Sequence, residues 1–235
     1  MDKHDKIVVL GAAGLVGQNL IVELKAQGYR QLVAIDKHAH NLGVLAQLHP
    51  DVTTVLADLA EPGPWREHLR GAARVLQLQA QITGKEAQLF VRNNLDSTKL
   101  VLEAVREHQV PFLVHISSSV VNSVADDDYT NTKKAQEKLV LDSGLPCCVL
   151  RPTLMFGWFD PKHLGWLSRF MEKVPVFPIP GHGRYMRQPL YNRDFCRIIV
   201  QCMERAPDRA IYDIVGDTRI GRRAAVEHIH EALAR

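Results

Sequence analysis

No stretch of this chain approaches the roughly 20 consecutive apolar residues that a membrane-crossing helix requires. The opening MDKHDKIVVL passes from a polar start into an apolar run too short for a secretory leader. Charge of one sign is not gathered anywhere. The 29 Lys and Arg stand against 26 Asp and Glu, for a net charge of +3. The lack of a basic tract argues against nucleic acid or a membrane surface as a partner. Cysteine is scarce: Cys147, Cys148, Cys196 and Cys202 form no C-x-x-C, and the first two lie inside an apolar run. Buried reduced thiols are the expectation, not a disulfide framework. His38-x-His40 and His228-x-His230 bring no carboxylate or Cys at metal spacing, so no metal is expected. Repeats and low-complexity segments are missing. The expectation is a soluble, cytoplasmic protein; its 235 residues, 46% hydrophobic, are enough for one substantial domain with a small second lobe.

What is present alternates. Short β-rich runs at 6–10, 31–35, 52–56, 73–78, 112–116 and 146–150 read as strands. Between them, apolar residues at helical spacing predict helices over 14–28, over 85–109 and from 129 to 143. Continuous apolar strands separated by helices imply a parallel sheet covered on both faces. After Arg151 the texture changes. Residues 152–190 carry much of the Pro, Gly and aromatic content, followed by a helix near 193–205, a strand in AIYDIVG and a terminal helix in RRAAVEHIHEALAR. The division expected is a nucleotide-binding domain over 1–151 and a small, partly interleaved lobe over 152–235.

VVLGAAGLVGQNL sets Gly11, Gly14 and Gly17 between the first strand and the first helix. Gly11 permits a tight turn, Gly14 lets backbone approach a pyrophosphate, and Gly17 lets the helix pack closely on the strand. The helix N-terminus then offers free N–H groups to phosphates. Asp36 follows the second strand, 25 residues after Gly11, close to what a βαβ dinucleotide fold requires. A carboxylate there accepts ribose hydroxyls and repels a 2′-phosphate, which favours NAD over NADP. The adjacent Lys37 weakens that preference.

Further along, YTNTKKAQEK sets Tyr129 four residues before Lys133, on one helix face. The glycine loop and this Tyr-x-x-x-Lys together resemble the signature pair of the short-chain dehydrogenase/reductase superfamily. The finer motifs resemble its extended branch, the NAD-dependent nucleotide-sugar epimerases and dehydratases. ADLA resembles the Asp-Leu after the third strand, which implies Asp58 and Leu59 beside adenine. VLQLQAQ sits where the family has His-Leu-Ala-Ala; Leu78 and Ala80 fit, with Gln77 and Gln79 as replacements. NNLDSTKLVLEA resembles the Asn-Val-x-Gly-Thr segment, giving Asn94 and Thr98, with Ser97 replacing the glycine. LRPTLMFG resembles the stretch after the sixth strand, and GRYMRQPLYNRDF a substrate-lobe segment, giving Arg187 and Asp194. The similarity runs from about residue 6 to 215.

The resemblance implies a Rossmann-like, doubly wound α/β domain with a small C-terminal substrate lobe, and NAD as cofactor. It implies cofactor contacts at Gly11, Gly14, Leu15, Val16, Gly17, Asp36, Lys37, Asp58 and Leu59. Leu78, Gln79, Ala80, Asn94, Tyr129, Lys133, Pro152 and Thr153 complete that set. Ser118, Tyr129 and Lys133 would be catalytic, with Ser119 the backup serine; Ser118, Gln81 and Arg187 would meet substrate. A phenol has an unperturbed pKa of about 10, and an ammonium one turn away is expected to lower it. Tyr129 would then move a proton at a substrate oxygen that the serine also holds. A homodimer through the helices at 85–109 and 129–143 is implied as well.

Several departures stand out. Only ten residues separate Ser118 from Tyr129, where the branch usually has a longer insertion. Asp126, Asp127 and Asp128 most simply begin and cap the next helix. Trp158, Phe159, Trp166, Phe170 and Phe177 wall a sugar or uracil pocket, or else pack the lobe. Arg184, Arg187 and Arg193 cluster near a Gly-rich turn, with Arg187 set to meet a diphosphate. The leading expectation is an epimerase-type enzyme on a nucleotide-activated sugar. The alternatives are an NAD(P)H-dependent carbonyl reductase or alcohol dehydrogenase of a small substrate, and a non-catalytic dinucleotide-binding module.

Overall fold

The first strand, β1 (Ile7–Leu10), is the run IVVL with all four side chains fully buried. Strand alternation sends Ile7 and Val9 into the core on one face of the sheet and Val8 and Leu10 into the core on the other. Each such burial contributes about 1.5–3 kcal/mol, which is why the strand is apolar without interruption.

The computed structural model describes residues 1–160, 162–174, 179, 182 and 186–233. After β1 come α1 (Leu15–Ala26), β2 (Leu32–Asp36), α2 (Ala39–Leu48), β3 (Thr53–Leu56) and a 3-10 helix over Pro64–Leu69. Next are β4 (Arg74–Gln77), α3 (Ala87–Phe90), a π-helical turn over Val91–Asp96, α4 (Ser97–Glu107) and β5 (Leu113–Ile116). A second 3-10 helix, Ser119–Asn122, leads to α5 (Asp128–Asp142) and β6 (Cys147–Pro152). The remainder is β7 (Met155–Phe156), α6 (His163–Met171), β8 (Met186–Arg187), β9 (Leu190–Tyr191), α7 (Asn192–Arg205), β10 (Ile211–Ile214), β11 (Ile220–Gly221) and α8 (Arg222–Leu233).

The main sheet runs β10-β6-β5-β4-β1-β2-β3 and is parallel throughout. The order of strands reverses between β1 and β4. Doubly wound sheets hold ligands at that switch point, outside the carboxyl ends of the strands. The Rossmann-like fold read from the alternation of elements is therefore the fold observed.

Three local departures have physical causes. The helix expected over 85–109 is interrupted by the π turn, which inserts residues into the i→i−4 ladder, a feature frequent at functional sites. Helix α2 buries only Leu42 and Leu45, too few for a readable period. The AIYDIVG strand, expected in the small lobe, is the last strand of the main sheet: β10 pairs with β6 from Ile211↔Val149 to Ile214↔Pro152. Helix α7 also returns to the main domain, packing on α1 and burying Phe195, Cys196, Ile199 and Met203. The interleaving of the chain after Arg151 with the main domain is thus deep. Outside the main sheet, β7 pairs with β9 and β8 with β11.

All four cysteines are buried and free. Asp127 caps α5, accepting from Thr130 N at 2.9 Å and Thr130 Oγ1 at 2.8 Å, as the aspartate run suggested. Among the described residues, no helix is long and apolar enough to cross a membrane.

Candidate active site

The glycine loop rises from β1 with Gly11 N and Ala12 N both donating to Ile35 O, at 2.9 and 3.2 Å. Gly11 takes φ +79°, and a Cβ there would lie 2.6 Å from Gln79 N; the missing side chain makes room for the chain leaving β4. A Cβ on Gly17 would lie 2.5 Å from Ala12 Cα. Gly17 therefore packs on the loop's own backbone just past β1, where the sequence suggested the strand itself. Gly14 is exposed at the N-cap of α1, and a Cβ there would meet only Gly11 O, at 3.5 Å. The space before the helix N-terminus is open to an anion.

At the carboxyl end of β2 the Asp36 carboxylate is fixed on both sides. Oδ2 accepts from Ala13 N and Oδ1 from His38 N, each at 2.9 Å. Lys37 turns elsewhere, donating to Asn93 Oδ1 at 2.6 Å and lying 3.6 Å from Asp58. Arg92, a residue that sequence reasoning passed over, bridges Asp58 at 2.8 Å and Glu61 at 2.6 Å. Burial pushes the Asp58 carboxyl up, but the Ala60 amide, Arg92 and Lys37 outweigh it and hold it below its ordinary value.

A cleft of about 270 Å³ opens along these carboxyl ends. Gly11, Gly14, Leu15, Val16, Gly17, Asp36 and Lys37 line it, as do Asp58, Leu59, Leu78, Gln79, Ala80, Gln81 and Tyr129. Both amide atoms of Gln79 are buried with no hydrogen-bond partner. Ser97, noted in the sequence only as a replacement for a glycine, also lines the cleft, as do Ala57, Ile82, Asn93, Ile116, Ser117 and Met155, which the sequence did not mark as site residues. Ile116 and Ser117 were findable from the rule that ligands sit beyond strand carboxyl ends. Asn93 had no such signal, because the π turn that presents it is not visible in the pattern.

The other expected residues lie off the cleft wall. Asn94 is fully buried and clamps the chain after β4. Its Oδ1 accepts from Gln81 N at 2.7 Å, and its Nδ2 donates to Gln81 O at 3.2 Å and Thr132 Oγ1 at 3.0 Å. Pro152 ends β6 against β10, and Thr153 donates from Oγ1 to Gln188 O at 2.8 Å and from N to Ile214 O at 3.0 Å; both secure the sheet edge. Arg187 is exposed on β8. Arg193 lies 3.9 Å from Glu23. Trp158, Phe159 and Trp166 are exposed, and Trp166 stacks on Phe170 at 5.2 Å; none of the four lines the cleft. Phe177 and Arg184 lie outside the described residues. A metal-like spacing occurs at Glu67, Glu107 and His108, but Arg70 and Arg66 already pair with the two acids.

The three consecutive serines take different positions. Ser117 lines the cleft with its hydroxyl buried and unpartnered. Ser118 caps the 3-10 helix, its Oγ accepting from Val120 N at 3.4 Å. Ser119 begins that short helix.

The expected Tyr129–Lys133 chemistry needs correction. Burial pushes the Tyr129 phenol above its ordinary value; the Ser118 hydroxyl pulls it partly back and Asp127 pushes it up again. Lys133 does not offset this, because its ammonium points inward, donating to Ile116 O at 3.1 Å and Gln136 Oε1 at 2.5 Å. Lys133 is 1% exposed, and burial drives it down to about 7 against a smaller upward pull from Glu137. His115, fully buried on β5, is held well below its ordinary value by burial and by Lys133.

These two bases predict how stability depends on pH. Below about 6.5 the unfolded chain protonates His115 while the folded chain refuses the proton, so stability falls on acidification. Between about 7 and 10.5 the unfolded chain holds a proton that folded Lys133 has lost, so stability from this group rises with pH. Each slope is at most about 1.4 kcal/mol per pH unit. Urea denaturation from acid to alkaline pH checks this. His115→Gln should lose the acid slope alone and Lys133→Met the alkaline slope alone; unchanged slopes would refute the assignment.

A seven-stranded parallel sheet, a glycine loop at its switch point and a fixed acid on the next strand define a Rossmann-like nucleotide-binding fold. A family profile described as the NAD dependent epimerase/dehydratase family matches residues 7–214, and the chain belongs to that family. Mouse sterol-4-alpha-carboxylate 3-dehydrogenase, decarboxylating, is 29% identical over 205 residues, covering 78% of this chain and 55% of the mouse protein. The chain thus spans about half the length of that relative. A dTDP-glucose 4,6-dehydratase of Streptomyces niveus is 26% identical, with 95% of this chain and 76% of the relative matched. The solved structure of UDP-glucuronic acid 4-epimerase from Bacillus cereus, in complex with NAD, superposes with a TM-score of 0.87 at 23% identity. It covers 98% of this chain and 84% of that one, a likeness of fold.

Proposed function

We propose that this protein is an NAD-linked oxidoreductase of the epimerase/dehydratase type, acting on a secondary alcohol or carbonyl of a nucleotide-activated sugar. One observation carries the reading: a single cleft is lined by the open glycine loop, Asp36 and Tyr129. The residues fit the cofactor. Gly14 leaves the helix N-terminus uncovered for a pyrophosphate, and Asp36 is fixed where it can accept ribose hydroxyls. Lys37 is engaged by Asn93 and Asp58 and so does not invite a 2′-phosphate. Leu59 and Asp58 flank the adenine end, and the unpartnered Gln79 amide supplies donors and an acceptor farther along.

NAD, held by these residues, would supply the hydride acceptor and donor of the reaction. The chain's own groups handle the proton. With its phenol held above the ordinary value, Tyr129 is protonated near neutrality and gives its proton to a carbonyl oxygen, or takes one back from a hydroxyl. Ser118, whose hydroxyl pulls the phenol partly back, steadies charge on that oxygen. Lys133, one turn away, is held inward on Ile116 O and Gln136 Oε1.

The sugar reading is supported by the relative named as a dTDP-glucose 4,6-dehydratase, whose match extends over 95% of this chain. A second reading, a dehydrogenase or reductase of an apolar alcohol or ketone, is favoured by the apolar Ile82, Ile116 and Met155 in the cleft wall and by the sterol dehydrogenase relative. Thermal shift with NAD present, using UDP- and dTDP-sugars in one series and cyclic ketones with NADH consumption in the other, separates them. A rise in melting temperature that needs both NAD and a nucleotide sugar supports the first reading. NADH consumption with a ketone and no sugar response replaces it with the second.

A further inference from the structure

Lys133 is the end of a buried polar chain built from two strands and two helices. Its Nζ donates to Gln136 Oε1 at 2.5 Å, and Gln136 Nε2 donates to Thr98 Oγ1 at 2.9 Å. The same hydroxyl accepts from Gln77 Nε2 at 2.9 Å, and Gln77 Oε1 faces His115 Nδ1 at 3.1 Å. Gln77, Thr98, His115 and Gln136 are each fully buried. An ammonium can only donate, so Gln136 must present its oxygen to Lys133. That choice aims its amide nitrogen at Thr98. The orientation of Gln136 is therefore dictated from the lysine end, and the Thr98 hydroxyl accepts what that choice presents.

We propose that Gln136 is the positioning residue of this site: its amide, anchored through Thr98 and Gln77 to the sheet, fixes where the Lys133 ammonium sits and what faces its charge. The proposal rests on the functional reading above for its consequence in turnover, but not for its geometry. Buried donors without partners are costly, so the bonds on both sides of the Gln136 amide hold it in place, although His115 Nε2 at the far end has no partner. Both acceptors on Lys133, Ile116 O and Gln136 Oε1, are uncharged. Uncharged acceptors compensate a buried cation less than a carboxylate does, in keeping with the fall of Lys133 to about 7. The charged or titratable neighbours are Tyr129 and Glu137 on α5, His115 on β5, and Arg151 on β6, which is itself bonded to Glu137 at 3.1 and 2.5 Å. From α4 and β4 the chain contributes neutral Thr98 and Gln77. Gln136 is thus the position where one atom changes the charge opposite Lys133.

The test reads the lysine directly. Side-chain ¹⁵N-lysine NMR of the full-length protein, without cofactor, gives the Lys133 titration midpoint. Gln136→Glu should raise it by about one pH unit or more, because a carboxylate replaces a carbonyl. Gln136→Met should lower it, and should cut turnover about tenfold or more by loosening the ammonium. Thr98→Val should weaken the hold, with Thr98→Ser restoring it. In NAD-dependent turnover, the alkaline limb of the pH profile should follow the NMR midpoint. A folded Gln136→Glu protein whose midpoint stays within about 0.3 unit of wild type would overturn the proposal. Failure of the wild-type protein to bind NAD would sink the functional reading instead, since the NMR midpoint needs no turnover.

Discussion

Tyr129→Phe is expected to lower turnover about 10²- to 10⁴-fold, the range of a lost general acid or base, while NAD affinity and melting temperature stay close to wild type. Burial holds the Tyr129 proton on the ring near neutrality, with the Ser118 hydroxyl pulling the phenol partly back, and the side chain lines the cleft. Phe keeps the ring and its packing. What it removes is the proton itself. The loss should appear in the chemical step, so single-turnover rates should fall while substrate binding holds. Ser118→Ala should cost less, because it removes a stabilising hydroxyl and leaves the proton in place. If Tyr129→Phe keeps turnover within about tenfold of wild type, proton transfer belongs to another group and the cleft works differently.

Gly17→Ala is the second large effect. The new Cβ would fall 2.5 Å from Ala12 Cα and 2.6 Å from Ala12 C. These are backbone atoms, and Ala12 is already fixed by its bond to Ile35 O. The loop must move off β1 or the helix must move off the loop. Overpacking of this kind costs about 1–3 kcal/mol, and about 2–4 °C of melting temperature per kcal/mol in a chain of this size. Because the same loop faces the cleft, NAD affinity should fall with stability. Gly43→Ala is the control: it lies within α2 with no heavy atom within 4 Å of the added carbon. There the change should stabilise by about 0.5–1 kcal/mol through helix propensity. Equal effects at the two glycines would contradict the close approach on which the loop's shape depends.

The fold and the cofactor side of the cleft were readable in advance because they rest on local rules. Strand periodicity, glycine spacing and an acid 25 residues beyond Gly11 are all fixed by the chain over short distances. The environment of Lys133 was not readable. Gln77, Thr98, His115 and Gln136 come from β4, α4, β5 and α5, and only sheet register and helix packing bring them together. Spacing put Tyr129 and Lys133 on one helix face, but a long side chain can turn along that face. Here the ammonium turns inward to Ile116 O, which left the phenol's burial unopposed by the lysine and reversed the expected direction of its shift. Asn94 lies off the cleft wall for a related reason: its polar atoms are taken by Gln81, on the chain after β4, and by Thr132. Lys37 ran the other way: the sequence let it weaken the preference for NAD, and its bonds to Asn93 and Asp58 remove that objection.

The central claim is that this cleft holds NAD, with Asp36 reading the adenosine ribose. Calorimetric titration of the purified, ligand-stripped protein with NAD and with NADP tests it most directly, alongside Asp36→Ala. NAD should bind about tenfold or more tightly than NADP, a difference of about 1.4 kcal/mol, and Asp36→Ala should erase the difference. Tighter binding of NADP, or no binding of either dinucleotide, would contradict it.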